Sequence, residues 1–169
     1  MKTSIYFILS IFLISCNTDI DSPKLPEIEP WQKRKCELPN ERFTDIGQTY
    51  LSVHSQVYSK NAHSMVGLTV TVSMRNTSDK DTAYILDTKY YDTHGKMIRN
   101  YLENPIYILP METLEIIIPE LDNEGGAGGN FIFNWASTDS IFTPIFDGVM
   151  ISTLGQQGLS FSSQGVRLK

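Results

Sequence analysis

Four glycines fill five positions at Gly125-Gly126-Ala127-Gly128-Gly129, and Asn130 follows. A glycine-rich loop can cradle a phosphate, but a P-loop also needs a Lys-Ser/Thr pair and a helix after it. Here an alternating apolar run follows instead. The loop reads first as a turn with left-handed positions, and second as a nest of backbone N–H groups or a binding element. Gly125, Gly126, Gly128, Gly129 and Asn130 are therefore the candidate binding residues. His54, His63 and His94 stand apart, without a spacing such as His-x-x-x-His, so no metal is expected. Glu112, Glu115, Glu120 and Asp122 gather around one stretch. Paired carboxylates can hydrolyse a glycan, whereas acids at strand ends are ordinarily solvated. No Gly-x-Ser-x-Gly elbow occurs, and Cys36 has no evident base nearby. No catalytic residue and no cofactor are expected.

Cys16 carries a different chemistry. Lys2 precedes an apolar run from Ile5 to Ile14, about ten residues, too short to span a bilayer and suited to an export signal. The run ends in Leu13-Ile14-Ser15-Cys16, which resembles the lipobox of bacterial lipoproteins, with Leu at −3, a small residue at −1 and Cys at +1. Ile at −2 departs mildly from the commonest form. The expectation is removal of residues 1–15 and lipidation of Cys16. One acyl chain holds a protein only weakly, at about 0.8 kcal/mol per buried methylene; the two or three chains of such lipoproteins hold it firmly. Asn17 is not the Asp that retains some lipoproteins at the inner membrane, which favours the outer membrane. With Cys16 lipidated, Cys36 has no partner, and a disulfide framework is excluded.

The 169 residues carry 14 Lys+Arg against 19 Asp+Glu, a net charge of −5. Loss of the signal removes only Lys2 and leaves about −6. An acidic chain without a basic cluster excludes nucleic acid as a partner. Residues 16–45 read as the lipidated N-terminus and a flexible linker, with Pro23, Pro26, Pro30 and Pro39 among scattered acids. Lys33-Arg34-Lys35 reads as a solvated charge run, with contact to lipid head groups or a partner as the other reading.

Residues 46–169 must position whatever chemistry there is, and they read as strands. Val66, Leu68, Val70, Val72 and Met74 alternate with Gly67, Thr69, Thr71, Ser73 and Arg75, predicting one strand over Val66–Arg75. Leu51, Val53 and Val57 give a weaker alternation before it. Ala83 to Tyr91 predicts another strand. Asp92-Thr93-His94-Gly95 fits a β-turn, with Met97 to Tyr101 returning as a hairpin. Pro105 and Pro110 bracket Ile106–Leu109 as an edge segment. Further strands are predicted around Leu114–Ile118, Phe131–Trp135, Ile145–Ser152 and Gly158–Ser163. Seven or eight short strands without a convincing helix predict an all-β, immunoglobulin-like antiparallel β-sandwich. Tyr84, Tyr90, Tyr91, Tyr101 and Tyr107 suit strands and also recognition surfaces.

Tyr90-Tyr91-Asp92-Thr93-His94-Gly95-Lys96, the Gly125–Phe131 loop with Trp135, and Gln156-Gln157-Gly158 with Ser160-Phe161 resemble, in order, the bacterial domain-of-unknown-function family 3124. The resemblance covers about Tyr50 to Arg167. It implies an exported, often lipidated envelope protein, and it supplies no catalytic residues. The expected function is thus a membrane-tethered envelope lipoprotein, non-catalytic, with an envelope protein or glycan as its partner or a structural role. The alternative is an envelope hydrolase acting on a glycan through the clustered carboxylates.

Overall fold

The computed structural model describes residues 31–39, 43–138, 142–155 and 158–169. The export signal, Cys16 and most of the expected linker lie outside these residues, as do Gln156 and Gln157. Twelve strands are described: β1 (Asp45–Val53), β2 (Gln56–Ser59), β3 (Asn61–Gly67), β4 (Thr69–Arg75), β5 (Ala83–Tyr91), β6 (Met97–Asn100), β7 (Ile106–Ile108), β8 (Thr113–Ile118), β9 (Gly129–Ser137), β10 (Ile145–Ser152), β11 (Leu159–Gln164) and β12 (Val166–Arg167). They form an antiparallel β-sandwich. One sheet runs β12-β1-β9-β5-β6, with β7 also on β5; the other runs β11-β10-β4-β8; β2 and β3 form a separate hairpin. The strands beyond the expected seven or eight are mostly short pieces such as β2 and β12.

Period-two patterning explains the layers. β1 alternates buried and half-buried residues along its length, and β9 does the same from Gly129 to Trp135. The inward residues of both sheets meet in one core, where Leu51, Val70, Val72, Ile85, Phe131, Phe133, Trp135 and Met150 are fully buried. Burial of such side chains contributes about 1.5–3 kcal/mol each. Aromatic rings link the layers: Tyr90 stacks on Phe131 at 4.5 Å, Phe131 neighbours Phe133 at 5.5 Å, and Phe133 stacks on Phe146 of the opposite sheet at 4.3 Å. Trp135 lies against Gly47, where a Cβ would overlap its ring, and its indole N–H donates to Thr49 Oγ1 at 3.0 Å.

The alternation from Val66 to Arg75 does not make one strand. It breaks at Leu68, whose N–H donates to Ser55 O at 2.8 Å instead of entering a sheet ladder. β3 pairs with β2, and β4 pairs with β10 and β8. Leu68 stays fully buried through the break, so the period-two pattern continues although the pairing changes. The predicted Asp92–Gly95 turn forms as expected. Asp92 Oδ1 accepts the N–H groups of His94 and Lys96, and Gly95 takes φ +79°.

The Lys33-Arg34-Lys35 run is docked on the domain through Arg34, which is half-buried, while Lys33 and Lys35 stay exposed. Trp31–Arg34 is a 3-10 turn, Lys35 forms a β-bridge with Ile106, and the Cys36 N–H donates to Pro105 O at 2.9 Å. The sandwich thus has two distinct ends. Trp31–Cys36, the 76–82 turn and the 109–112 turn lie at one. The β2–β3 hairpin, the 92–96 turn, the glycine loop and residues 153–155 lie at the other.

Candidate functional site

The glycine loop is built around one tyrosine. Gly126–Gly128 forms a single 3-10 turn, and Gly129 then enters β9. Gly126 alone among the four glycines has φ > 0, at +65°. Gly125 and Gly129 answer to close approach. A Cβ on Gly125 would overlap the Tyr90 hydroxyl, and one on Gly129 would sit 3.0 Å from the same ring. A Cβ on Gly126 would lie 2.7 Å from Thr93 Oγ1, whereas at Gly128 Thr93 stands at an ordinary 3.4 Å. Hydrogen bonds tie the loop down. Thr93 Oγ1 donates to Gly125 O and accepts from the Gly128 N–H. The Ser55 N–H donates to Gly126 O at 3.0 Å. His54 Nδ1 meets Ala127 O at 2.5 Å.

Asn130 completes the corner. Its Nδ2–H donates to Gly128 O at 2.8 Å, and its Oδ1 accepts from Tyr50 Oη at 2.6 Å. The five candidate residues are therefore brought together, and the Gly125, Gly126 and Gly128 carbonyls, the Gly126 and Gly128 N–H groups and the Asn130 amide bond within the protein itself. The Tyr90 hydroxyl is buried without a well-formed hydrogen bond. It approaches Ser55, whose own hydroxyl is committed to Gly126 O. Burial pushes the Tyr90 pKa up to about 12, and the neighbouring Ser55 hydroxyl offsets this only in part.

The expected carboxylate cluster does not converge. Glu112 turns to Arg34 at 2.6 Å, while Asp122 binds Arg99 at 2.7 Å. Glu124 binds the same Arg99. Burial works against the charge on Arg99, but Glu124 and Asp122 outweigh it and raise its pKa. Glu115 sits on the outward face of β8, opposite Ser73. The histidines are also apart: His54 packs edge-on against Phe161, His63 lies on the exposed hairpin, and His94 is in the 92–96 turn. Among the described residues no three His, Cys, Asp or Glu side chains come together as metal ligands.

Sequence reasoning missed the surface beside the loop. β2 and β3 form a hairpin, and Leu154, Gly158 and Leu159 lie next to it. Val57, Tyr58, Val66, Leu154 and Leu159 line a groove of about 230 Å³ there. Tyr58 is 64% exposed and Leu154 69%, and Met65 stands opposite Tyr58 across the hairpin. The signal was weak because Tyr58 is far in sequence from Leu154 and Leu159, and the three lie in no repeating pattern.

An open antiparallel sandwich with a self-satisfied glycine corner and an apolar groove at one end defines the class: a β-sandwich domain with loops gathered at its ends. The family follows from comparison. Residues 47–168 match the DUF3124 model, described as a protein of unknown function, and the chain belongs to that family. No curated protein and no solved structure matches it.

Proposed function

We propose that the protein is a lipid-anchored bacterial envelope protein whose sandwich serves as a non-catalytic binding or structural module. The observation that carries the reading is the placement of the groove. The chain enters the domain at one end, where Cys36 and Thr44 bond to Pro105 and Ser137. The exposed Tyr58, Met65, Leu154 and Leu159 lie at the opposite end. A tether on Cys16 would therefore leave this apolar end free to meet an envelope protein or glycan. Contiguous apolar groups at a protein surface favour such contacts, with tyrosine prominent among them. Of the carboxylates that a hydrolase would use, Glu112 is engaged with Arg34 and Asp122 with Arg99.

Two measurements test the reading. Cys16→Ser should abolish palmitate incorporation and leave the precursor uncut; equal labelling of the variant refutes the anchor. A photo-cross-linker placed in cells at Tyr58 or Leu154 should give a discrete adduct, and one at Lys80, at the other end, should not. Equal yields from both ends would count against the groove.

A further inference from the structure

We propose that Arg34 and Glu112 form a clamp that shortens the leash between membrane anchor and domain. This rests on the anchored reading above, but the clamp itself is built entirely from described residues. The Arg34 Nη2–H donates to Glu112 Oε1 at 2.6 Å and the Nη1–H to Oε2 at 3.4 Å. The guanidinium lies 5.3 Å from the centre of the Tyr107 ring. Glu112 is itself held, because its Oε2 accepts the Leu109 N–H at 2.8 Å. The two side chains are only 15% and 21% exposed.

These features separate the pair from an ordinary surface ion pair. A forked guanidinium–carboxylate contact stacked on an aromatic ring fixes geometry as well as charge, and partial burial limits screening. The exposed Lys35–Glu103 contact at 3.8 Å adds little beside it. Backbone bonds extend the hold. Lys35 bridges to Ile106, the Cys36 N–H bonds Pro105 O, and Cys36 Sγ lies 3.7 Å from the same oxygen. Tyr107 and Glu112 flank the turn at Pro110, so the clamp grips a rigid corner of the sandwich.

Covalent geometry gives the consequence. From Cys16 to Arg34 the chain has roughly 18 residues, which reach at most about 60 Å. Were the clamp and the backbone bonds at Lys35 and Cys36 all released, the chain from Cys16 to Asp45 would have roughly 29 residues and reach at most about 100 Å. The clamp therefore confines the domain to a shell near the membrane and raises its effective concentration against a partner within that shell. Full release would extend the reach of the groove by about 40 Å at most.

The test uses the lipidated protein in vesicles of phosphatidylethanolamine and phosphatidylglycerol. Glu112→Gln keeps an acceptor for the Leu109 N–H but removes the charge that holds Arg34. Trypsin should cut after Lys33, Arg34 and Lys35 about tenfold faster in this variant than in the parent. Glu115→Gln, on the outward face of β8 just beyond the turn at Pro110, should cut at the parental rate. Energy transfer from a donor at Met65→Cys, in a Cys36→Ser background, to an acceptor lipid should fall at least about twofold with Glu112→Gln. Cleavage of Glu112→Gln at the parental rate overturns the clamp. Faster cleavage with unchanged transfer overturns its role in reach. Absence of palmitate on the parent instead defeats the anchor, and the trypsin comparison would still report on the clamp.

Discussion

Gly125→Ala tests how the glycine corner is held. The added methyl would overlap the Tyr90 hydroxyl, come within 2.7 Å of the ring carbon that bears it, and stand 3.3 Å from Ser55 Oγ. Tyr90 has no room to yield, because it is fully buried and stacked on Phe131 at 4.5 Å. Either the ring leaves its stack or the loop lifts away from Ser55 and Thr93. Overpacking a core costs about 1–3 kcal/mol. Loss of a stacked pair adds about 0.5–1.5 kcal/mol. The expected destabilisation is thus about 2–4 kcal/mol. At a urea m-value of about 2 kcal/mol per molar this lowers the midpoint by about 1–2 M. Gly126→Ala should cost about 1–2 kcal/mol through its positive φ, and Gly128→Ala less than about 0.5 kcal/mol. Asn130→Ala should cost less than Gly125→Ala. The assay is the urea midpoint of each variant at constant m-value. Adding Tyr90→Phe to Gly125→Ala should recover part of the loss, since it removes the overlapping oxygen. A Gly125→Ala protein as stable as the parent, or one that Tyr90→Phe does not help, would refute the reasoning and make the loop a mobile binding element.

Tyr90→Phe alone should leave stability unchanged or raise it by up to about 1 kcal/mol, because a buried hydroxyl without a good partner is lost. The same tyrosine gives a pH dependence. Below about pH 10 it is neutral whether folded or unfolded. Between 10 and about 12 the unfolded chain ionises it while burial keeps the folded form neutral, so stability falls as pH rises through that window. Tyr90→Phe should flatten this alkaline decline, and an unchanged slope in denaturation curves from pH 9 to 12 would contradict it. Asn76→Ala should cost about 2–4 kcal/mol by thermal melting, because one buried amide donates to the carbonyls of Asp81, Ile108 and Leu109. Burial pushes the Cys36 thiol pKa up. Its reaction with a disulfide reagent at pH 8 should therefore be slow in the folded protein and fast in urea.

The strands were legible because a half-buried strand must alternate, and Phe131-Phe133-Trp135 or Leu114-Ile116-Ile118 can alternate only if one face meets a core. The turn at Asp92–Gly95 was legible because Asp and Gly each satisfy a local backbone need. The family resemblance placed on the Tyr90–Lys96 turn, the glycine loop and Trp135 agrees with the match over residues 47–168. Leu68 shows the limit of periodicity, which reports burial and not hydrogen-bond partners. The run from Val66 to Arg75 keeps its buried face while the backbone changes from the hairpin to the main sheet. A domain cut at Tyr50 would also remove the first half of β1, including Gly47 and Thr49 against Trp135.

By itself the sequence determined an all-β class, the turn chemistry, the acidic balance and the expectation of a lipid anchor at Cys16. Each of these depends on residues close together in the chain or, for the charge, on composition alone. Tertiary structure alone decided why the glycines are there, because Tyr90 lies some 35 residues from Gly125 and no local pattern announces their contact. It also decided that Arg34 leaves the expected linker to meet Glu112, 78 positions away. Two of the carboxylates that looked clustered were separated in the same way, Glu112 to Arg34 and Asp122 to Arg99. Local propensity is written in the nearest few residues, whereas a contact between distant segments exists only once the two sheets have closed on their core.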